Sequence, residues 1–163
     1  MKKAKVYIDG ANIFYTQKKL GWIFDWVKIR KLIESEIEVI EWRYYVGVKK
    51  DDEKILGYLK YLDKIGFNLS TKPLKKIKIN NNEFIYKANL DVEMAVDILL
   101  DKSKYDELII FSGDSDFQYL VKKLKDVGKK IKVISSRKTL SWELKLEANQ
   151  IIYFENIRKK IER

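Results

Sequence analysis

The 163-residue chain contains no cysteine and no histidine. The absence of cysteine excludes disulfides, thiolate metal sites and cysteine nucleophiles. The absence of histidine excludes an imidazole general base, an imidazole metal ligand and a histidine–aspartate pair. Any catalysis must therefore use carboxylates, lysines, tyrosines, hydroxyls or a metal ion held by oxygen. Oxygen ligands favour Mg²⁺ or Mn²⁺ over zinc.

Long apolar runs and linker sequences are also scarce. No stretch approaches the roughly 18 apolar residues of a membrane span, and the N-terminus has no apolar signal region. We therefore expect a cytoplasmic protein that has no membrane partner. One proline and seven glycines leave little room for a linker, and there is no internal repeat. The sequence thus predicts a single domain over residues 1–163.

Positive charge is what the chain has in excess. Its 34 lysines and arginines outnumber 24 aspartates and glutamates, which gives a formal net charge of +10. Such a balance favours a polyanionic partner, with nucleic acid first and an acidic membrane surface second. Lysine-rich solubility explains the same charge equally well, so charge alone does not select the partner.

Short apolar runs alternate with helical patterns along the chain. Strands are predicted at 5–9, 39–48, 67–71, 107–112, 130–136 and 150–154, and helices at 26–35, 51–66, 90–103, 116–128 and 139–148. Residues 75–87 predict a β-hairpin, because Asn80 to Asn82 separate two alternating runs. This alternation predicts an α/β fold with a mainly parallel sheet covered by helices on both faces.

Three aspartates are predicted at one edge of that sheet. In such folds the ligand site lies beyond the carboxyl ends of the strands. Asp9 ends the first predicted strand, and Asp114 and Asp116 follow the strand 107–112. A turn position also explains Asp9, and helix capping also explains the pair. One cap suffices, however, and a second carboxylate beside it raises the local negative charge unless a cation lies there.

Asp91 is predicted to lie inside the apolar arc of the helix 90–103. Six apolar side chains share its side of the helical wheel: Val92, Met94, Ala95, Val96, Ile98 and Leu99. A carboxylate in that position is costly unless it is paired or bound to a metal. A position at the helix end, half outside the core, or an ion pair with Lys87 would also accommodate it. The remaining acidic residues of this helix are interpreted as solvated charges on the opposite face: Glu93, Asp97 and Asp101.

If Asp9, Asp91, Asp114 and Asp116 converge, they form a pocket of oxygen ligands for one or two Mg²⁺ or Mn²⁺ ions. A metal ion there would lower the pKa of a bound water and stabilise charge on a phosphoryl oxygen. This chemistry requires no histidine. Surrounding lysines would hold the polyanionic substrate that the acidic pocket alone repels.

Two basic stretches and one aromatic segment are candidates for substrate contact. The basic residues are Lys122, Lys123, Lys125, Lys129, Lys130, Lys132, Arg137 and Lys138 in one stretch, and Lys72, Lys75, Lys76 and Lys78 in the other. Trp22, Phe24 and Trp26 would suit stacking on the bases of single-stranded RNA. A place in the core or on a dimer surface explains these rings equally well.

Three stretches resemble the NYN domain, in its LabA-like branch, within the PIN-like nuclease superfamily. They are VYIDGANIF, KANLDVEMAVDILL and IIFSGDSDFQYLVKKLKDVGKKIKVIS, and the resemblance runs from about Lys5 to Phe154. It implies a three-layer α/β/α domain with a mainly parallel sheet, to which the hairpin 75–87 adds a small insertion. It also implies a metal-dependent ribonuclease with an acidic pocket at the carboxyl edge.

The resemblance assigns residues by motif. Catalysis and metal binding fall to Asp9, Asp91, Asp114 and Asp116, with Asp97 as a further acidic position of second rank. Support of the pocket or of the substrate falls to Asn12, Ser112, Ser115 and Lys87. One departure is Asn149, which stands where the family often has an aspartate.

Three hypotheses follow. The leading one is an endoribonuclease that uses Mg²⁺ or Mn²⁺ to cut single-stranded or structured RNA. The second is a binding module of the same fold that holds RNA or a protein without cutting. The third is a phosphoesterase for DNA ends or nucleotides, although the chain is short for the extra helices that thread a DNA flap. A homodimer stays open under each of them.

Overall fold

Alternating strands and helices follow one another along the whole computed structural model, which describes residues Met1–Arg163. The strands are β1 Lys3–Asp9, β2 Glu38–Val48, β3 Asn68–Pro73, β4 Lys75–Asn80, β5 Glu83–Lys87, β6 Glu107–Phe111, β7 Lys130–Ser135 and β8 Gln150–Tyr153. The helices are α1 Gly10–Leu20, α2 Trp26–Glu34, α3 Glu53–Lys64, α4 Asp91–Leu100, α5 Gln118–Asp126, α6 Trp142–Glu147 and α7 Phe154–Ile161. A 3₁₀ turn, Ser115–Phe117, precedes α5. None of the helices combines the length and the apolarity that crossing a membrane requires.

Six strands form one sheet in the order β3-β2-β1-β6-β7-β8, and all their pairings are parallel. The chain builds outward from β1 to β3 and then returns to place β6 beside β1. The junction of β1 and β6 is therefore a topological switch point, where the two neighbouring connections leave in opposite directions. Such a junction opens a crevice at the carboxyl ends of the two strands, and that is where the site lies.

Helices cover both faces of the sheet, which gives three layers and confirms the predicted α/β fold. Alternate residues of β1 face opposite cores. Ala4, Val6 and Ile8 belong to the larger core, which includes residues of α1, α2, α3 and α7. Tyr7 belongs to the second core, with residues of α4, α5 and α6.

Two helix ends carry residues of the types that begin and end helices. The Asp25 side chain caps α2 by accepting a hydrogen bond from the Lys28 amide, and Gly66 follows α3 with a positive φ of 92°. The last helix, α7, is absent from the prediction. Phe154, Ile157 and Ile161 follow the i, i+3, i+7 spacing of a helix and pack on the larger core, but the eight residues of α7 are fewer than the window over which that period is recognised.

The aromatic segment near the N-terminus lies in the core. Trp22, Phe24 and Trp26 are at most 7% exposed. The Phe24 ring stacks on Phe154 of α7 at a centroid distance of 4.2 Å. The hypothesis that these rings stack on RNA bases is therefore wrong, because their apolar faces are already buried against the sheet and its helices.

The predicted orientation of α4 is only partly right. Met94 and Ile98 are buried, but Val92, Val96 and Leu99 are exposed. The interpretation of Asp97 and Asp101 as solvated charges is wrong, since both accept hydrogen bonds from tyrosines of the sheet. Apolar residues surround much of this helix, so polar partners on the sheet determine which side packs inward.

Candidate functional site

Asp9 links β1 to α1 and is only 8% exposed. One carboxylate oxygen accepts from the Asn12 amide at 3.2 Å, and the other accepts from the Ser112 hydroxyl at 2.9 Å. The next residue must be small, because a Cβ on Gly10 would lie 2.5 Å from the Tyr45 carbonyl oxygen. The turn after β1 therefore fixes both oxygens of this carboxylate.

The loop after β6 is tied to the end of β1. Ser112 donates to Asp9 and accepts from the Asp114 amide at 3.2 Å. The side-chain oxygen of Asn12 accepts from the Gly113 amide at 3.0 Å. Asn12 and Ser112, both predicted to support the pocket, thus bridge the two strands at the switch point.

A second loop covers Gly113. The Ser141 amide donates to the Gly113 carbonyl at 2.9 Å, and a Cβ on Gly113 would collide with the backbone carbonyl of Thr139. Because the obstacle is backbone, a larger residue cannot be accommodated by a side-chain rotation. The glycine before Asp114 is therefore required by close packing.

Asp91 enters the site from the opposite side, as the first residue of α4. Its amide donates to the Asn89 side chain at 2.8 Å. Carboxylate oxygens of Asp9, Asp91 and Asp114 all lie within 4.8 Å of one another. No lysine or arginine forms a salt bridge with any of the three. We call these three residues the acidic triad.

The triad is electrostatically strained without a cation. Burial raises the pKa of Asp9, and the charge of Asp114 raises it further. The hydrogen bonds from Asn12 and Ser112 lower this pKa, but they do not cancel the effect of burial. Burial and then the charges of Asp9 and Asp114 raise the pKa of Asp91 to about 7. A proton or a metal ion relieves this repulsion, and a set of three carboxylates is the donor chemistry that hard divalent cations prefer.

Asp116 and Ser115 lie at the margin of the site, and both are exposed. The Asp116 amide donates to Asp114 at 2.9 Å, so the 3₁₀ turn orients the Asp114 side chain. The Asp116 charge contributes to the raised pKa of Asp91. Its carboxylate does not belong to the acidic triad, so three of the four predicted aspartates are within ligand distance of one another.

Lys87 and Asp97 do not join the triad either. Lys87 is exposed on β5 opposite Lys75 and forms no salt bridge with Asp91, so the alternative of that ion pair is wrong. Asp97 accepts from the Tyr45 hydroxyl at 2.7 Å and lies 3.5 Å from an Arg43 nitrogen. It attaches α4 to β2.

The far end of α4 is held by a buried ion pair that the sequence analysis missed. Lys5 lies 2.5 Å from Asp101 and 2.6 Å from Glu41, and both charged ends of the first pair are almost inaccessible. Burial alone would raise the pKa of Asp101, but hydrogen bonds from Lys5 and Ser103 outweigh it and lower the pKa to about 2. The sequence did contain a signal for this ion pair. Side chains alternate between the two faces of a strand, so Lys5 of β1 lies on the same face of the sheet as Asp9.

The longer basic stretch does not form one surface. Lys125 and Lys132 pair with Glu147 and Glu107, and Lys129 contacts the Tyr105 ring. Lys129 and Lys130 lie at the amino end of β7, whereas the triad lies at the carboxyl edge.

Asn149, the departure from the family pattern, also lies at the amino edge. Its side chain accepts from the Ile131 amide at 2.8 Å, and its own amide donates to the Ile131 carbonyl. This residue joins β7 to the start of β8 and is not part of the triad.

Comparisons with known proteins bear on the family and the fold of this chain. The sequence profile of the NYN domain matches residues 3–156. The chain is 33% identical over 162 residues to the low amplitude and bright protein LabA of Synechococcus elongatus, and the alignment covers 97% of this chain and 87% of that protein. A crystal structure of a protein of unknown function from Vibrio parahaemolyticus superposes with a TM-score of 0.81 at 22% identity, covering 99% of this chain and 96% of that one. The structural likeness speaks for the fold alone.

Proposed function

The chain belongs to the NYN domain family, a branch of the PIN-like nucleases, and from this premise we propose that it is a metal-dependent endoribonuclease. Mg²⁺ or Mn²⁺ is the proposed cofactor, and RNA is the proposed substrate. The observation that carries the proposal is the acidic triad, three carboxylates within 4.8 Å of one another with no basic partner.

Each residue of the triad has a proposed task. Asp9, Asp91 and Asp114 would hold the metal ion through their carboxylate oxygens. Asn12 and Ser112 keep Asp9 and the loop after β6 in place through their hydrogen bonds. When bound, the metal ion supplies an acidified water and stabilises charge on the phosphoryl oxygen. The protein supplies rigid carboxylates that need not reorganise when that charge develops.

Asp116 has a weaker proposed part. It lies one 3₁₀ turn from the triad and acts on Asp91 through its charge. We assign it to the orientation of water or of the leaving group at the margin of the site. Its replacement by asparagine is expected to reduce cleavage less than the same change at Asp114.

Cleavage of labelled single-stranded RNA tests the proposal. Wild-type protein is incubated with Mn²⁺, with Mg²⁺ or with EDTA, beside Asp9→Asn, Asp91→Asn and Asp114→Asn. Asp126→Asn is the matched control, because this exposed residue ends α5 and makes no salt bridge. Cleavage is expected only with metal, and it is expected to fall by about 100-fold or more in each triad variant while the control keeps wild-type activity.

Two results would contradict the proposal. Cleavage that persists in Asp114→Asn would come from a contaminant or from another site. Metal-independent, salt-sensitive RNA binding without any cleavage would instead favour the binding-module hypothesis. Labelled DNA of the same length, added as a competitor, separates a ribonuclease from a DNA-directed phosphoesterase.

A further inference from the structure

The hairpin of β4 and β5, here called the arm, forms a two-stranded sheet apart from the six-stranded sheet. Every residue of its two strands is exposed. It carries four lysines and one glutamate together with five large apolar side chains: Ile77, Ile79, Phe84, Ile85 and Tyr86. A two-stranded hairpin with no core of its own is only marginally stable, so this composition needs an explanation outside the fold.

The two faces of the arm differ in chemistry. Directly paired residues of an antiparallel hairpin lie on the same face. Lys76 pairs with Tyr86, and Lys78 pairs with Phe84, so one face presents two lysines beside two aromatic rings. We call this the basic aromatic face. The other face presents the pairs Ile77–Ile85 and Lys75–Lys87, so the lysines are shared by both faces and the aromatic rings belong to the first face alone.

Lysines lie against the aromatic rings. The Lys76 amino group is 4.2 Å from the centroid of the Phe84 ring, and the Lys49 amino group is 4.4 Å from that of the Tyr86 ring. Even so, Phe84 and Tyr86 are 47% and 46% exposed. The rings therefore retain open surface within a positively charged setting, which is complementary to a phosphate backbone with exposed bases.

The arm joins the edge of the sheet that carries the acidic triad. It leaves from the carboxyl end of β3 and returns to Asp91 after three residues, Ala88 to Leu90. Its base packs on Gly47 near the carboxyl end of β2, where an added Cβ would lie 2.6 Å from Leu74 and 2.7 Å from Ala88. The base of the arm and the triad are thus parts of one edge, and the basic aromatic face extends from that base.

We propose that the basic aromatic face of the arm binds single-stranded RNA and guides it to the acidic triad. The inference rests on the proposed function, because it takes RNA as the substrate of the same site. Phe84 and Tyr86 are two residues apart on one strand, hence about 7 Å apart along it. Each ring stacks on one base, while Lys76, Lys78 and Lys49 neutralise neighbouring phosphates.

This arrangement selects single strands over duplexes. In an A-form duplex the bases are stacked and paired, so their faces are closed to protein rings. Phosphate contacts by lysine remain available in both forms. The aromatic rings are therefore expected to determine the preference for single strands. The lysines are expected to determine how strongly RNA affinity depends on salt concentration.

Binding is tested apart from cleavage. Fluorescence anisotropy is measured in EDTA with labelled oligouridine, alone or annealed to oligoadenylate, on the full chain carrying Asp114→Asn. The variant Phe84→Ala/Tyr86→Ala is expected to bind the single strand about 30-fold more weakly or worse, with little change for the duplex. For Lys76→Gln/Lys78→Gln, the negative slope of log affinity against log salt concentration is expected to become less steep by about 1.4, because two phosphate contacts are lost.

Two controls address folding. Ile77→Ala/Ile85→Ala shortens a directly paired couple on the opposite face and is expected to leave RNA affinity within about twofold of that of the parent protein. Phe84→Tyr/Tyr86→Phe keeps both rings and is expected to recover the single-strand affinity that Phe84→Ala/Tyr86→Ala loses. Circular dichroism spectra that match the parent establish that the six-stranded sheet is intact in each variant.

Unchanged affinity of Phe84→Ala/Tyr86→Ala for oligouridine overturns the proposal, and so does an equal loss for strand and duplex. A fall in oligomeric mass of this variant without a loss of RNA affinity also overturns it, since the face would then bind a second copy. If cleavage depends on Asp114 but Phe84→Ala/Tyr86→Ala binds RNA as the parent does, the proposed role of the arm is refuted and the proposed nuclease activity is not. If RNA binding depends on Phe84 and Tyr86 but no cleavage occurs, the proposed nuclease activity is refuted and RNA binding by the arm is supported.

Discussion

Asp91→Asn is expected to stabilise the metal-free protein while it destroys metal binding. In the folded protein, burial and the charges of Asp9 and Asp114 raise the pKa of Asp91 to about 7 from an ordinary value of 3.8. The folded state therefore binds this proton more tightly than the unfolded state does. Stability consequently falls as pH rises from about 4 to about 7, and the whole penalty is present above pH 7.

The magnitude follows from the difference between these two pKa values. At about 1.4 kcal/mol per unit the ceiling is about 4 kcal/mol. The Asp91 side chain is only partly buried, so water screens the repulsion and we expect about 2 kcal/mol. For a chain of 163 residues this corresponds to a rise of about 4–8 °C in the melting temperature.

Thermal unfolding followed by circular dichroism measures the effect. In EDTA at pH 8, Asp91→Asn is expected to melt higher than wild type, and the gap is expected to close toward pH 4. With Mn²⁺ at saturating concentration the order is expected to reverse, because only the wild type gains the binding free energy. Asp126→Asn, with the same change of charge, is expected to follow wild type throughout. The reasoning would be refuted if Asp91→Asn had a lower melting temperature than wild type in EDTA at pH 8, or if the difference between the two melting temperatures did not change with pH.

Three further changes test the elements that hold the site, and a fourth serves as a control. Lys5→Met leaves the nearly inaccessible Asp101 without a cation, whereas Glu41 keeps its ion pair with Arg43; it is expected to cost about 3 kcal/mol in urea unfolding at pH 7, a deficit that shrinks as pH falls from about 4 toward 2. Tyr45→Phe removes the hydrogen bond to Asp97 and is expected to cost about 1.5 kcal/mol in the same assay; no change would mean that this bond does not hold α4. Gly113→Ala forces the covering loop away and is expected to cost about 2 kcal/mol and abolish cleavage, whereas Gly57→Ala, with open space in α3, is expected to stabilise by about 0.5 kcal/mol.

The order of strands and helices could be predicted because each element carries its own pattern. β1 is a short apolar run that ends at Asp9, and β6 is another that ends before Ser112. Parallel strands joined by helices place their carboxyl ends on one edge, so the sequence alone predicts Asp9 and Asp114 on that edge. The assignment of site roles to these residues stays a prediction until cleavage is measured.

The rotation of α4 could not be predicted from the sequence. Its apolar residues extend round most of the helix, so the helical wheel has no single inward side. The sheet settles the choice, because Lys5 and Tyr45 offer polar partners to Asp101 and Asp97. Those contacts join residues far apart in the chain, and no local periodicity encodes them.

The sequence by itself determined the α/β architecture, the acidic edge and the exclusion of histidine and cysteine chemistry, since composition and local pattern suffice for these. Only the tertiary structure decided that Asp9, Asp91 and Asp114 lie within ligand distance while Asp116 lies outside, and that the tryptophans are core whereas the arm presents open rings. The physical reason is that distances between carboxylates and the exposure of rings depend on packing between elements. A pattern read along one element fixes which faces are polar, but not which element lies opposite.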